Sequence, residues 1–156
     1  MTAFVPTYYV YRTPMGRITL ASDGKALTRF AFGVATFTGE QRPCALTNEA
    51  SSEVLEYLAG KRKSFTVSLN PNGTSFQKKV WNAICAIPYG QTRSYDEIAS
   101  ELGNPNGRNA IAKACNYNPL PLFIPTHRVI GAHGDLGGFV AGSAVKQFLI
   151  DLESHA

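Results

Sequence analysis

The residues best able to do chemistry lie together late in the chain. The run Asn118-Pro119-Leu120-Pro121-Leu122-Phe123-Ile124-Pro125 is apolar and extended between prolines. It delivers Thr126-His127-Arg128-Val129 into a loop rich in glycine (Gly131, Gly134, Gly137, Gly138). An imidazole titrates near neutral pH and is the commonest general base, and a hydroxyl beside it is a potential nucleophile. With Glu153 as orienting acid, Thr126 and His127 would make a hydrolytic triad. Adjacent residues of an extended segment point to opposite sides, so Thr126 and His127 are not expected to face each other. Read alone, His127 is equally a hydrogen-bonded core histidine, and Glu153, three residues from the end of the sequence, a solvated helix-end carboxylate. The three cysteines, Cys44, Cys85 and Cys115, are an odd number without CxxC spacing. That argues against a disulfide framework and a cysteine zinc site, and for a reducing compartment. Cys85 and Cys115 are expected to pack as small apolar residues.

The elements that must position these groups form two blocks. In the first, Tyr8-Tyr9-Val10-Tyr11 is rich in strand formers. A turn at Pro14-Met15-Gly16, alternation over Arg17–Leu20, a hairpin signal at Asp23-Gly24 and a run over Ala26–Phe32 complete a small antiparallel meander. Residues 48–60 are expected to be helical, with Val54, Leu55 and Leu58 at helical spacing, and Phe65–Leu69 to form one more strand. Asn70-Pro71-Asn72-Gly73 is four turn formers in a row and marks the boundary. The second block opens with a capping box, Thr74-Ser75-Phe76-Gln77, and an apolar stripe of Phe76, Val80, Trp81 and Ile84. A second box, Ser94-Tyr95-Asp96-Glu97, starts another helix. After the turn Gly103–Gly107, a third spans Arg108 to Tyr117, which makes a helix-turn-helix pattern. A closing helix from about Ser143 spaces Val145, Phe148, Leu149 and Leu152 for one apolar face. The fold class is therefore α+β: a small antiparallel sheet with a helix, then a helical domain.

Composition is that of a globular protein, with 44% hydrophobic and 17% charged residues. No apolar run reaches the roughly 20 residues of a membrane helix, and the first residues do not resemble a secretory signal. Net charge is +4, which leans towards a polyanionic partner. The second half is not basic overall, yet Gly103–Gly134 carries Arg108, Lys113 and Arg128 and no acid. Any phosphate-facing surface there is local.

Pro125-Thr126-His127-Arg128-Val129 resembles the Pro-Cys-His-Arg-Val signature of the O6-alkylguanine-DNA alkyltransferases, with threonine in place of the acceptor cysteine. The Tyr89-Gly90-Gln91 turn, Ser94-Tyr95 and Asn118-Pro119 extend the likeness along the chain. The resemblance implies a ribonuclease-H-like α/β domain over residues 1–70 and a DNA-binding alkyltransferase-type domain over 71–156. It implies a helix-turn-helix in the minor groove, a flipped guanine and, in the family, transfer of the O6 alkyl group to cysteine. Thr126 takes the acceptor position, His127 the base, Glu153 its orienting acid, and Asn118 the turn and hydrogen-bond network. Tyr95, Arg108, Asn109, Lys113, Arg128, Val129, Gly138 and Phe139 are the DNA- and base-binding candidates, Arg128 with a structural task as well. The implied partner is double-stranded DNA containing O6-alkylguanine, with nucleotide excision repair proteins downstream. The implied protein is a monomer in the cytoplasm (nucleoid or nucleus according to the cell), away from membranes, with no metal and no organic cofactor.

The sequence departs from the family at four points. A threonine hydroxyl is far harder to deprotonate than a thiol, so no alkyl transfer is expected at Thr126. The family's intercalating arginine matches Asn109, with Arg108 about 100° away on a helix. The pocket loop Gly138-Phe139-Val140-Ala141-Gly142 lacks the family's tyrosine and one glycine. The zinc ligands of some relatives are not evident. An alkyltransferase-like protein that binds the lesion without transfer fits these changes. An inactive cysteine-to-threonine variant of the methyltransferase is the alternative. A helix-turn-helix transcription regulator, reading bases with Asn109, Lys113 and Asn116, is a further one.

Overall fold

The computed structural model describes residues 5–132 and 135–154. It divides into two compact units, Met1–Asn72 and Gly73–Ala156. Gly134 of the expected glycine-rich loop lies outside the described residues.

The first unit is a four-stranded sheet with one helix. Strands β1 (Thr7–Thr13), β2 (Gly16–Ser22) and β3 (Leu27–Phe32) form the antiparallel meander, and β4 (Glu40–Gln41) lies on the other side of β1. β4 pairs parallel to β1, Thr7 opposite Glu40, so the sheet is mixed rather than purely antiparallel. A two-residue strand has no period for a sequence to show. Helix α1 (Ala45–Leu58) begins three residues before the expected start, because Cys44 and Thr47 close a capping box there. It buries Ala50, Val54 and Tyr57. The strand expected over Phe65–Leu69 does not form; only a bridge between Leu27 and Leu69 is present. The buried Glu53 carboxylate takes both the backbone N–H of Thr66 (2.8 Å) and its hydroxyl, so this segment is held by a side chain instead of a ladder.

The second unit carries helices α2 (Ser75–Cys85), α3 (Tyr95–Glu101), α4 (Arg108–Asn116) and α5 (Ser143–Ser154), with a short parallel pair β5 (Arg93–Ser94) and β6 (Val129–Ile130). Both expected capping boxes are made, Thr74 with Gln77 and Ser94 with Glu97. Each satisfies two backbone donors that the helix start leaves over. On α2, Val80, Trp81 and Ile84 are buried, whereas Phe76 is exposed. The Trp81 indole donates to the Ala114 carbonyl at 2.9 Å and so locks α2 to α4. Cys85 is exposed rather than packed. α3 and α4 pack on one another across the turn at 102–107, giving the helix-turn-helix pair.

Two further expectations change. Thr126–Arg128 is one turn of 3-10 helix, not extended chain. On α5, the buried line is Lys146, Leu149 and Glu153, not the apolar set; Phe148 is exposed. Two of those three are charged, and each is buried because its polar atoms are occupied. No described helix is long and apolar enough to cross a membrane.

Candidate functional site

The 3-10 turn and α5 form the centre of the site. The His127 side chain is completely buried, with Nε2 2.7 Å from Oε2 of Glu153. Arg128 forks onto the same carboxylate, Nε to Oε1 at 2.8 Å and Nη2 to Oε2 at 2.9 Å. Its Nη1 donates to the Ile87 carbonyl at 2.8 Å. Glu153 is therefore a buried anchor and not a solvated helix end. Its two oxygens hold both the imidazole and the guanidinium, and the Gly90 N–H reaches Oε1 at 3.4 Å. Arg128 spends its donors inside the protein, as a structural arginine does, and its guanidinium is not presented to a base.

Burial pushes the His127 pKa below the ordinary histidine value, against the opposing pull of Glu153. The ring is neutral at pH 7. With Nε2 donating to a carboxylate, Nδ1 carries the lone pair. This Nδ1 is buried and has no hydrogen-bond partner among the described residues. A nitrogen so placed can accept a proton, which is the chemistry of a general base. The arrangement also has a stability consequence. The folded pKa is depressed, so the unfolded chain binds a proton more readily. The unit is expected to lose stability as pH falls below about 6.5 towards the folded value. Thermal melts between pH 7.5 and 5 should show a falling midpoint in the wild type and a flatter profile in His127→Gln; parallel profiles would refute the assignment.

Thr126 is buried beside this base. Its Oγ1 accepts from Asn118 Nδ2 at 3.3 Å, and the same amide donates to the Ile124 carbonyl at 2.9 Å. Asn118 Oδ1 accepts the Leu120 N–H at 2.9 Å, which pins the turn that begins the apolar run. Inside that run Leu122 has φ 77°, a left-handed conformation that leucine adopts only when its surroundings enforce it. The 3-10 turn removes the geometric objection to a Thr126–His127 pair. The hydrolytic triad is absent all the same, since Thr126 Oγ1 bonds to Asn118 and makes no hydrogen bond with His127 Nδ1.

Residues 137–139 lie against this centre. The Phe139 ring stands edge-on to His127, centroids 6.4 Å apart. Tyr95, buried at the start of α3, has its phenol pushed upward by burial, with a backbone hydrogen bond from Gly138 partly opposing the shift. Gly137 has φ +74°, and a Cβ there would stand 2.5 Å from the Tyr95 hydroxyl. Gly137→Ala combines a disfavoured backbone with a clash against a rigid buried ring. It is expected to cost about 1–3 kcal/mol and to displace the loop. A melting midpoint within a degree of wild type would refute this.

The sequence reading missed Lys146. It is fully buried, with Nζ 2.6 Å from the Val129 carbonyl and 3.1 Å from that of Gly138. Its position on a helix of mixed polarity carried no signal, because lysines are ordinarily solvated. Burial lowers its pKa to about 8. Val129 is buried, and its carbonyl is occupied by this lysine. Cys115 lies close enough to share electrostatics with Lys146, and burial pushes its thiol up to about 12, which disqualifies it as a nucleophile near neutral pH.

Arg108, Asn109 and Lys113 are not part of this buried set. All three are exposed on α4, with Asn116. Arg108 is near enough to Tyr95 for its charge to favour the phenolate. Gly138 is exposed on the loop. No group of three or more His, Cys, Asp or Glu side chains able to hold a metal occurs among the described residues.

Residues 75–155 match the model of the 6-O-methylguanine DNA methyltransferase DNA binding domain, and residues 7–71 that of the 6-O-methylguanine DNA methyltransferase ribonuclease-like domain. The chain is 44% identical over 151 residues to a methylated-DNA–protein-cysteine methyltransferase of Methanosarcina acetivorans, covering 94% of this chain and 97% of that protein. A protein of the same name from Mycobacterium tuberculosis is 40% identical over 151 residues, 92% of this chain and 91% of its own. Among solved structures, Mycobacterium tuberculosis OGT in complex with DNA superposes with a TM-score of 0.89 at 38% identity, over 96% of this chain and 93% of that one.

Proposed function

The chain belongs to the 6-O-methylguanine DNA methyltransferase family, and on that premise we propose that it binds duplex DNA carrying O6-alkylguanine without taking the alkyl group. The damaged base would be turned out of the stack into the space beside Thr126, since an atom inside a duplex is otherwise out of reach. One observation carries this reading. The Glu153–His127–Arg128 network is fully formed, with a free imidazole nitrogen, around a position that holds a hydroxyl instead of a thiol. A base without an ionisable nucleophile suits recognition and not transfer.

In this reading residues 71–156 engage the DNA and residues 1–70 form the ribonuclease-like domain. Arg108, Asn109 and Lys113 on the exposed face of α4 meet the duplex, and Tyr95, Gly138 and Phe139 line the base pocket with the backbone at Val129. Asn118 fixes the Thr126 hydroxyl, and Arg128 holds Glu153 in place. The protein acts as a monomer where cellular DNA is kept, and the bound lesion is handed to excision-repair proteins.

Two labelled duplexes, differing only in O6-methylguanine for one guanine, test this by anisotropy at one salt concentration, because phosphate contacts make affinity salt-dependent. A clear preference for the lesion is the expected result. Equal affinity for both would end the reading. Exposed Asn109, Lys113 and Asn116 favour the second one, a helix-turn-helix regulator; preference for a particular undamaged sequence would support it.

A further inference from the structure

α5 presents one buried edge to the site, and its two charged residues hold opposite sides of it. Glu153 anchors His127 and Arg128. Two turns earlier, Lys146 joins the Val129 carbonyl, directly after the 3-10 turn, to the Gly138 carbonyl in the loop. The loop lies against Tyr95, where a Cβ on Gly137 would stand 2.5 Å from the hydroxyl, and the Tyr95 ring centroid lies 5.9 Å from the lysine Nζ. The same loop places Phe139 against His127. Remove the ammonium, and both carbonyls lose this shared donor, while the loop keeps its contacts with Tyr95 and His127.

We propose that Lys146 is a positioning residue which clamps the pocket loop onto Tyr95 and the active-site turn, and that its charge makes recognition of the damaged base weaken at alkaline pH. This rests on the lesion-binding reading above. An ammonium donates charge-assisted hydrogen bonds, roughly twice as strong as those of a neutral amine. Among the described residues, the groups facing Lys146 are the Cys115 thiol on α4, the Tyr95 phenol on α3, the His127 imidazole on the turn and the Asp135 carboxylate in the loop. Burial drives Cys115 and Tyr95 upward and His127 downward, so these three keep one protonation state while Lys146 titrates near 8. The sign separates clamping from mere packing. The folded pKa lies below the unfolded value of about 10.4, so the unfolded chain holds the extra proton between the two. The wild type therefore gains stability relative to Lys146→Met as pH rises above 8. The clamp weakens over the same range. A lysine that only packed would move stability and recognition together.

The test measures the ratio of affinities for lesion and undamaged duplexes from pH 7 to 9.5, in wild type and Lys146→Met, beside melts of both and amide-exchange protection of residues 136–140. The expected ratio falls about fivefold in the wild type, the scale of one charge-assisted bond's advantage. In Lys146→Met it should be near one throughout, with affinity for undamaged DNA retained. A wild-type ratio constant with pH, together with a retained ratio in the variant, overturns the proposal. Should the wild type show no lesion preference even at pH 7, the lesion-binding reading fails. The clamp is then judged by exchange: loop protection that drops above pH 8 in the wild type only supports it, and protection independent of pH refutes it. The exchange arm needs no variant to fold.

Discussion

Thr126→Cys is expected to turn this protein into a single-use alkyl acceptor. A buried imidazole and an amide donor flank the position that sulfur would take. His127 is a neutral, buried imidazole with its Nε2 on Glu153 and an Nδ1 that has no partner among the described residues. Asn118 Nδ2 lies 3.3 Å from the atom that sulfur would replace and can donate to a developing thiolate. A thiol of ordinary pKa about 8.5 is a modest task for that base, and the soft anion it leaves displaces carbon readily. A threonine hydroxyl offers neither advantage. The relatives' shared name, methylated-DNA–protein-cysteine methyltransferase, is that of proteins with a cysteine to spend. With a duplex carrying a labelled O6-methyl group, the variant should take up close to one label per chain and the wild type none above background. The rate gain should be about a thousandfold or more, near 4 kcal/mol off the barrier. Adding His127→Ala should remove most of it. If Thr126→Cys binds the lesion duplex yet acquires no label, the pocket does not place the alkyl carbon near residue 126, and the proposed function loses its geometric basis.

Glu153→Ala should be the most damaging substitution for stability in the second unit. Its carboxylate accepts two bonds from Arg128 and one from His127, and removing it strands a guanidinium that is nine-tenths buried. Breaking one side of a buried ion pair costs about 3–5 kcal/mol, because the remaining charge cannot return to water. For a unit of this size each kcal/mol lowers the melting midpoint by about 4–8 °C. The chain has one tryptophan, Trp81, buried in the same unit, so its fluorescence reports this unit's unfolding directly. Glu153→Gln, which keeps an acceptor for one partner, should fall between wild type and alanine. A loss below about 1 kcal/mol for the alanine variant would mean that the network is not a structural anchor.

Much of the frame was legible because it is local. The capping boxes at Thr74 and Ser94 depend on residues three apart. The hairpin signal at Asp23-Gly24 and the helix pair around Gly103–Gly107 likewise sit within one turn of chain. At the 3-10 turn of Thr126 local sequence points the other way, because prolines and β-branched residues favour extended chain. The Ile124 and Pro125 carbonyls accept the N–H groups of Thr126 and Arg128, and the Thr126 carbonyl accepts that of Val129, which tightens the turn. The buried face of α5 is hidden from local sequence for a related reason. Hydrophobic spacing selects Val145 and Phe148 for the core, while the fold buries Lys146 and Glu153.

The sequence by itself determined the family, the helix and strand inventory apart from its short or irregular pieces, and the chemical fact that a threonine precedes His127. Those rest on residue identity and on contacts a few positions long. Tertiary structure alone decided that Glu153 serves two partners 25 and 26 residues away, that Arg128 is spent internally, and that Lys146 is buried between two carbonyls. A buried charge is tolerated only where distant backbone and side chains complete its hydrogen bonds, and no window of local sequence contains those partners.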